Sequence, residues 1–365
     1  MGVREFTRGR DRLLAADRAG LPVSLICDEI VRALHDVARF EFGALLTTDP
    51  ETLLPSGGTV EGFSPTDCAP FWDNELLDPD FCKFADLARS VDPVATLVEA
   101  TDGDLWRSPR YQKLYAAVPA GDELRLALVA GTSCLAVGAF VRVAEAGAFT
   151  PAELADVRHL APVATTVLRR ALGRVRPEAT QRPPVVILLD GSGKVTSMSA
   201  GGAQVLDDLR IDGVDELQLP GVVQSAATKA RWSRTTTTLT TRVRGRSGRW
   251  LRLHVTPMEG EVGAVALTVE PARADDLALI LLDSYGLTAR ETEIVLLLCR
   301  GLTTKDIAAE LIISAHTVRD HVKAIYDKAG VASRGELVAA LFSNHALGRF
   351  DASVRHLGAL PASGA

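Results

Sequence analysis

Cysteine is scarce in this chain of 365 residues. Cys27, Cys68, Cys82, Cys134 and Cys299 are odd in number and widely scattered, which fits neither a disulfide framework nor a zinc site. Each reads as a buried, inert thiol, with a redox sensor as the alternative. Long apolar runs are missing as well, so no stretch is expected to cross a bilayer. The opening MGVREFTRGRDRLL lacks an apolar signal core, and Phe6 stands where a myristoylation motif needs Ser or Thr. These absences point to the cytoplasm and to no membrane partner.

Positive charge is not in surplus either. The formal net charge of -6 argues against a protein that coats polyanions, so any nucleic-acid contact is confined to a patch. Catalytic signatures are absent: there is no nucleophile elbow, no paired metal-ligand helix and no glycine-rich nucleotide loop. Gly191-Ser192-Gly193-Lys194 hints at a phosphate loop, but Leu188 and Val195 break the Walker pattern at both ends, and a hairpin turn fits better. His35, His159 and His254 sit singly and read as packing or surface residues. No enzyme, metal or cofactor is expected. What is present is hydrophobic content of 47%, ample for real cores, over a length that suits two or three domains.

The stretch from Leu287 to Leu341 carries the densest local signals. Thr288 and Glu291 have capping-box spacing, and Ile294, Leu297 and Leu298 recur at helical period until Gly301. Thr303 or Thr304 caps the next helix, with Ile307, Ala308 and Leu311 facing inward. Ser314 opens a third helix after a very tight connection. Val318, Val322, Ile325 and Ala329 form its buried stripe, while His316, Arg319, Asp320, Lys323 and Asp327 lie on the other side. Gly330 stops it, and Ser333 with Glu336 predicts a capping box for a fourth helix bearing Leu337, Val338 and Leu341. A short helix, a tight turn and a second helix displaying polar, partly basic side chains is the geometry that enters a major groove.

On these residues the segment resembles the LuxR-type (NarL/FixJ-type) helix-turn-helix domain of bacterial transcriptional regulators. The matching features are LTARETE at 287–293, GLTTKDIA at 301–308, Ser314-x-x-Thr317-Val318, His321, Lys328, Gly330-Val331 and Arg334. The resemblance implies that Arg319, Asp320, Lys323 and His316 face base edges. It implies that Thr303, Thr304, Lys305, Ser314, Thr317 and His321, with the amide groups opening the third helix, face phosphates. His316 stands where Lys is common and Ala329 where Leu is common, which weakens the expected phosphate affinity and fourth-helix packing. Between Leu281 and His345 seven bases face eight acids, so a monomer should bind poorly and a homodimer is the natural remedy.

Upstream, residues 1–20 read as a charged arm or fraying helix. Ile26, Ile30, Leu34 and Val37 mark a helix, and FEFGALLTT at 40–48 a buried strand. Phe71, Trp72, Phe81, Phe84, Trp106 and Tyr111 follow, either lining a ligand cavity or forming plain core. LRLALVAG from Leu124 and CLAVGAFVRV from Cys134 predict a hairpin, and Thr150-Pro151-Ala152-Glu153 caps a long amphipathic helix. This order resembles a GAF-type sensory domain. After the Pro-rich stretch 173–184, VVILLD at 185–190, a helix at Ala203–Leu209 and strands at 242–258 and 262–271 resemble a PAS-type domain without a heme or flavin signature. Arginines 231, 234, 242, 244, 246, 249 and 252 alternate with apolar residues and read as a solvated strand face, with a second nucleic-acid surface as the alternative.

The expected fold is therefore multidomain: an arm at 1–20, a GAF-like α+β domain at 21–172, a linker at 173–184, a PAS-like α+β domain at 185–271, a linker helix at 272–286, an all-α four-helix LuxR-type domain at 287–345 and a tail at 346–365. The expected function is a transcriptional regulator that reads double-stranded DNA as a homodimer under control of a small-molecule effector, with RNA polymerase as a further partner. The alternative is a signalling protein whose helical domain docks another protein. A phosphorylation receiver is not expected, because the chain opens with a helix where a receiver has a strand leading to clustered carboxylates.

Overall fold

Hydrophobic periodicity governs the amino-terminal helices of the computed structural model, which describes residues 2–64, 68–115, 120–131, 133–174, 183–211, 219–232, 238–273, 276–277, 280, 282 and 284–343. Helix α1 (Gly2–Arg18) packs on α2 (Val23–Val37), whose Ile26, Ile30 and Leu34 are fully buried at the predicted spacing. The first twenty residues are thus more than an arm: Leu13 and Ala16 of α1 are buried, and Arg12 pairs with Glu29 at 3.2 Å. Arg8 of α1 likewise pairs with Asp36 of α2.

Five antiparallel strands follow: β1 (Phe42–Thr48), β2 (Pro55–Glu61), β3 (Val94–Thr96), β4 (Ala120–Ala130) and β5 (Ser133–Val143), ordered β2-β1-β5-β4-β3. Leu46 faces Gly58 on one side and Val137 on the other. A side chain at Gly58 would meet the Leu45 carbonyl oxygen at 2.2 Å, so this pairing needs glycine. Between β2 and β4 the chain makes α3 (Cys68–Leu77), α4 (Phe84–Leu87) and α5 (Leu97–Ala100). Helix α6 (Pro151–Gly173) is capped by Thr150 and Glu153 as expected, and Arg170 on it reaches Asp17 of α1 at 2.7 Å.

A second antiparallel sheet has strands β6 (Val185–Leu189), β7 (Val195–Met198), β8 (Leu239–Arg244), β9 (Trp250–Pro257) and β10 (Val265–Pro271) in the order β7-β6-β10-β9-β8. Counted within each sheet, the two orders are the same. Gly191–Lys194 is a hairpin turn: Asp190 Oδ1 accepts from the N–H groups of Ser192 and Lys194, both at 2.9 Å. Helix α7 is Gly202–Asp208 and α8 is Gly221–Trp232; α8 buries Val222, Val223, Ala226, Ala227 and Ala230 in the core of this sheet. The run at 242–258 is two strands, because a tight turn at 245–249, closed by Gly245 N–H donating to the Arg249 carbonyl at 2.8 Å, separates β8 from β9.

Residues 1–171 and 183–271 form one unit, and 172–182 with 272–365 another. Within the first unit the two sheets are joined by the β1–β2 loop, whose Leu54 is fully buried in the core of the second sheet. Beside it, Arg242 is buried and bonded to Asp49 and Glu51. This corrects the expectation of a solvated arginine face: Arg252 is also paired, with Glu270. Most of linker 173–184, much of helix 272–286 and all of tail 346–365 lie outside the described residues. Among the described residues, no helix is long and apolar enough to cross a membrane.

Candidate nucleic-acid interface

Four helices between residues 288 and 338 each begin on a hydroxyl cap. Thr288 accepts from Glu291 N–H, and the Glu291 carboxylate accepts from Thr288 N–H, opening α9 (Ala289–Cys299) with the full predicted box. Thr303, not Thr304, caps α10 (Thr304–Glu310) and forms a second box with Asp306. Ser314 caps α11 (Ala315–Ala329), and Ser333 caps α12 (Arg334–Val338). The predicted box at α12 is displaced by one residue, since the Glu336 carboxylate accepts from Ala332 N–H at 2.7 Å. Gly330, with φ 66°, ends α11 in the left-handed conformation that favours glycine.

These caps aim four short helices at one core. Ile294, Val295, Ile307, Val318, Ile325 and Leu337 are fully buried there, with Val322 and Ala329 partly buried on the stripe expected of α11. The turn between α10 and α11 is tight enough to hold Ile312 at φ 54° while leaving its side chain 90% exposed. Glu291 is buried, and burial pushes its carboxyl up. Hydrogen bonds from Lys328 and Thr288 outweigh that and hold it below the usual carboxylate range. Lys328 Nζ lies 2.6 Å from Glu291 Oε2, tying the end of α11 to the start of α9.

The outward face of α11 carries His316, Arg319, Asp320 and Lys323, all exposed, with Thr317 and His321 half-buried beside them. Thr303, Lys305 and Ser314 are exposed and Thr304 is half-buried. Several of these groups are already engaged. His316 Nδ1 lies 2.8 Å from Asp320 Oδ2, which ties two expected base-reading groups to each other. Thr303 Oγ1 donates to Asp306 at 2.6 Å, and the Ser314 and Thr317 hydroxyls lie 2.9 Å apart.

The cations divide into two sets. Arg290 pairs with Glu293, Arg300 with Glu310 and Lys328 with Glu291, while Arg334 donates to the carbonyls of Leu298 and Leu302. Arg319, Lys323 and Lys305 have no hydrogen bond or ion pair among the described residues. The near-zero charge balance therefore hides an uneven distribution: internal pairs absorb the structural cations and leave those of α11's outer face and the start of α10 available. Sequence reasoning missed what Arg290 and Arg334 do. Arg290 donates to the Leu311 carbonyl at 2.8 Å, so both arginines add a donor to carbonyls at helix ends.

The family model described as "Bacterial regulatory proteins, luxR family" matches residues 285–341. The spore germination protein GerE of Bacillus subtilis is 47% identical over 55 residues, 15% of this chain and 74% of that protein. The probable transcriptional regulatory protein SgaR of Hyphomicrobium methylovorum is 48% identical over 54 residues, so this chain spans only 26% of its length. A solved structure of a phage VqmA–DPO complex aligns with 44% of this chain and 80% of its own at 18% identity and a TM-score of 0.26, too low to bear on the fold. Through the segment whose caps, core and free cations are described above, the chain belongs to the luxR family of bacterial regulatory proteins.

Proposed function

We infer that this chain is a sequence-specific regulator of transcription in which α11 enters the major groove of double-stranded DNA. The observation that carries this reading is the division of cations, with Arg319 and Lys323 unpaired among the described residues on one face, one helical turn apart, while Arg290, Arg300 and Lys328 are paired with carboxylates. Arg319, Lys323, Asp320 and His316 then face bases, and Lys305, Thr303, Thr304, Ser314, Thr317 and His321 face phosphates. So few free cations give one subunit little affinity, which favours a homodimer on two half-sites. The GAF-like (21–172) and PAS-like (185–271) regions take a small-molecule effector that biases the dimer between states of different DNA affinity, and the DNA-bound form acts on RNA polymerase in the cytoplasm.

The test is recovery of genomic fragments by the full-length protein, followed by fluorescence anisotropy on a recovered fragment with the Arg319→Ala/Lys323→Ala variant. Binding should vanish while circular dichroism is unchanged. A folded double variant that binds as the wild type does would overturn groove docking, and would favour a helical unit that docks a protein through another surface.

A further inference from the structure

The first sheet encloses a cavity of about 270 Å³ on one face. Leu46 of β1, Ala139 of β5, Trp72 of α3 and Phe84 of α4 supply part of its wall, and Leu219 and Val222, from the other half of the same unit, also line it. The aromatic wall is fixed in place. The Phe84 N–H donates to Glu75 Oε1 at 2.8 Å, and the fully buried Arg125 guanidinium sits 4.0 Å from the Phe84 ring centroid while bonding Glu75 at 2.8 Å. The lining offers little to a charged ligand. The Tyr115 hydroxyl is committed to Glu123 Oε1 at 3.0 Å, and Arg210, the one cation among the described lining residues, already has a partner.

We propose that this cavity binds an uncharged lipophilic molecule about the size of a medium-chain alcohol, and that the bound molecule clamps together the two halves that build its wall. The inference rests on the effector reading above and adds the ligand's chemical class and the site's joint construction. A pocket lined by apolar groups favours a ligand in proportion to the apolar surface it removes from water, and penalises a charge it cannot pair. The second half's contribution is tight: a Cβ on Gly221, at the start of α8, would stand 3.0 Å from Cys68 Sγ. A larger side chain there crowds Cys68 and Trp72, which also line the cavity.

The experiment titrates the full-length protein with phenylnaphthylamine, an uncharged probe that brightens in apolar surroundings, and then competes it with decanol or decanoate. Saturable probe binding, displaced by decanol at least about tenfold more effectively than by decanoate, is expected. Decanol should also raise the melting temperature, since it binds only the folded state. Gly221→Met and Ala139→Leu should each weaken probe binding by about tenfold or more, and the milder Leu219→Ala, should the fillers not fold, by about threefold. Absence of saturable binding, equal competition by decanoate, or wild-type probe affinity in folded Gly221→Met or Leu219→Ala would each overturn the proposal. Operator binding is followed in the same samples: probe binding that decanol displaces without changing operator affinity supports the cavity and counts against the effector reading alone.

Discussion

The Asp49 carboxylate, fully buried, accepts from both the backbone N–H and the guanidinium of Arg242, at 3.0 and 2.9 Å. Its other oxygen accepts from the N–H groups of Glu51 and Thr52, so one side chain both shapes the β1–β2 loop and holds the edge of the second sheet. Asp49→Ala leaves the buried guanidinium with only the exposed Glu51 as an acidic partner and should cost about 3 kcal/mol, whereas replacing both partners, as Asp49→Leu with Arg242→Met, should cost much less. Urea unfolding of the two variants checks this. A single-variant loss below about 1 kcal/mol would mean that Arg242 is satisfied without Asp49.

That pair also marks the limit of what the chain's pattern discloses. Helices α9 to α12 were legible because their causes are local: a cap, a period of 3.6 and a glycine stop lie within a few residues of one another. Helix α8 was not foreseen, since it opens on Gly221 and buries three alanines, which carry little hydrophobic signal. Arg242 looked like a surface residue because alternation with apolar neighbours is all that a short window contains; its partner lies 193 residues away. In the same way, the free state of Arg319 and Lys323 follows from which other bases are paired, and pairing such as Lys328 with Glu291 is a tertiary fact.

Asp122 gives the first unit a dependence on pH. Burial pushes its carboxyl up to about 6, only partly offset by N–H groups of Val98, Phe149 and Glu123. A carboxyl raised in the folded state binds more protons folded than unfolded between about pH 4 and 6, so its contribution to stability falls as pH rises through that window. The stability of Asp122→Asn relative to wild type should therefore rise from pH 4 to above 6 and then level off. Urea midpoints measured across this range check it, and a difference that stays flat would show that Asp122 does not titrate there.

Ile312 is a β-branched residue in the left-handed region, with a side chain that buries almost nothing. The conformation costs an L-residue about 1 to 2 kcal/mol, and glycine's extra unfolded-state freedom returns part of it. Ile312→Gly should thus stabilise the protein by about 0.5 to 1 kcal/mol, while Ile312→Val should change little. Denaturation that shows Ile312→Gly to be less stable than wild type would mean that the exposed isoleucine contributes contacts of its own.

The proposed DNA binding through so few cations has a measurable salt signature. If a dimer neutralises about six phosphates, log affinity against log salt should have a slope near about -5, and Lys305→Ala should make it shallower. Loss of a base contact from Arg319 or Lys323 should cost about 1 to 3 kcal/mol of discrimination at one base position. Anisotropy titrations at several salt concentrations on matched and mutated operators measure both. A slope near zero would exclude groove docking.

Leu54 deserves a different reading from that of a core residue. It belongs to a loop of the first sheet and completes the core of the second. Domains are commonly pictured as beads that recombination can swap at a linker, and 173–184 looks like a place to cut. An exchange there would leave a leucine and a buried carboxylate facing a stranger, so the two sheets should be inherited as one indivisible cassette.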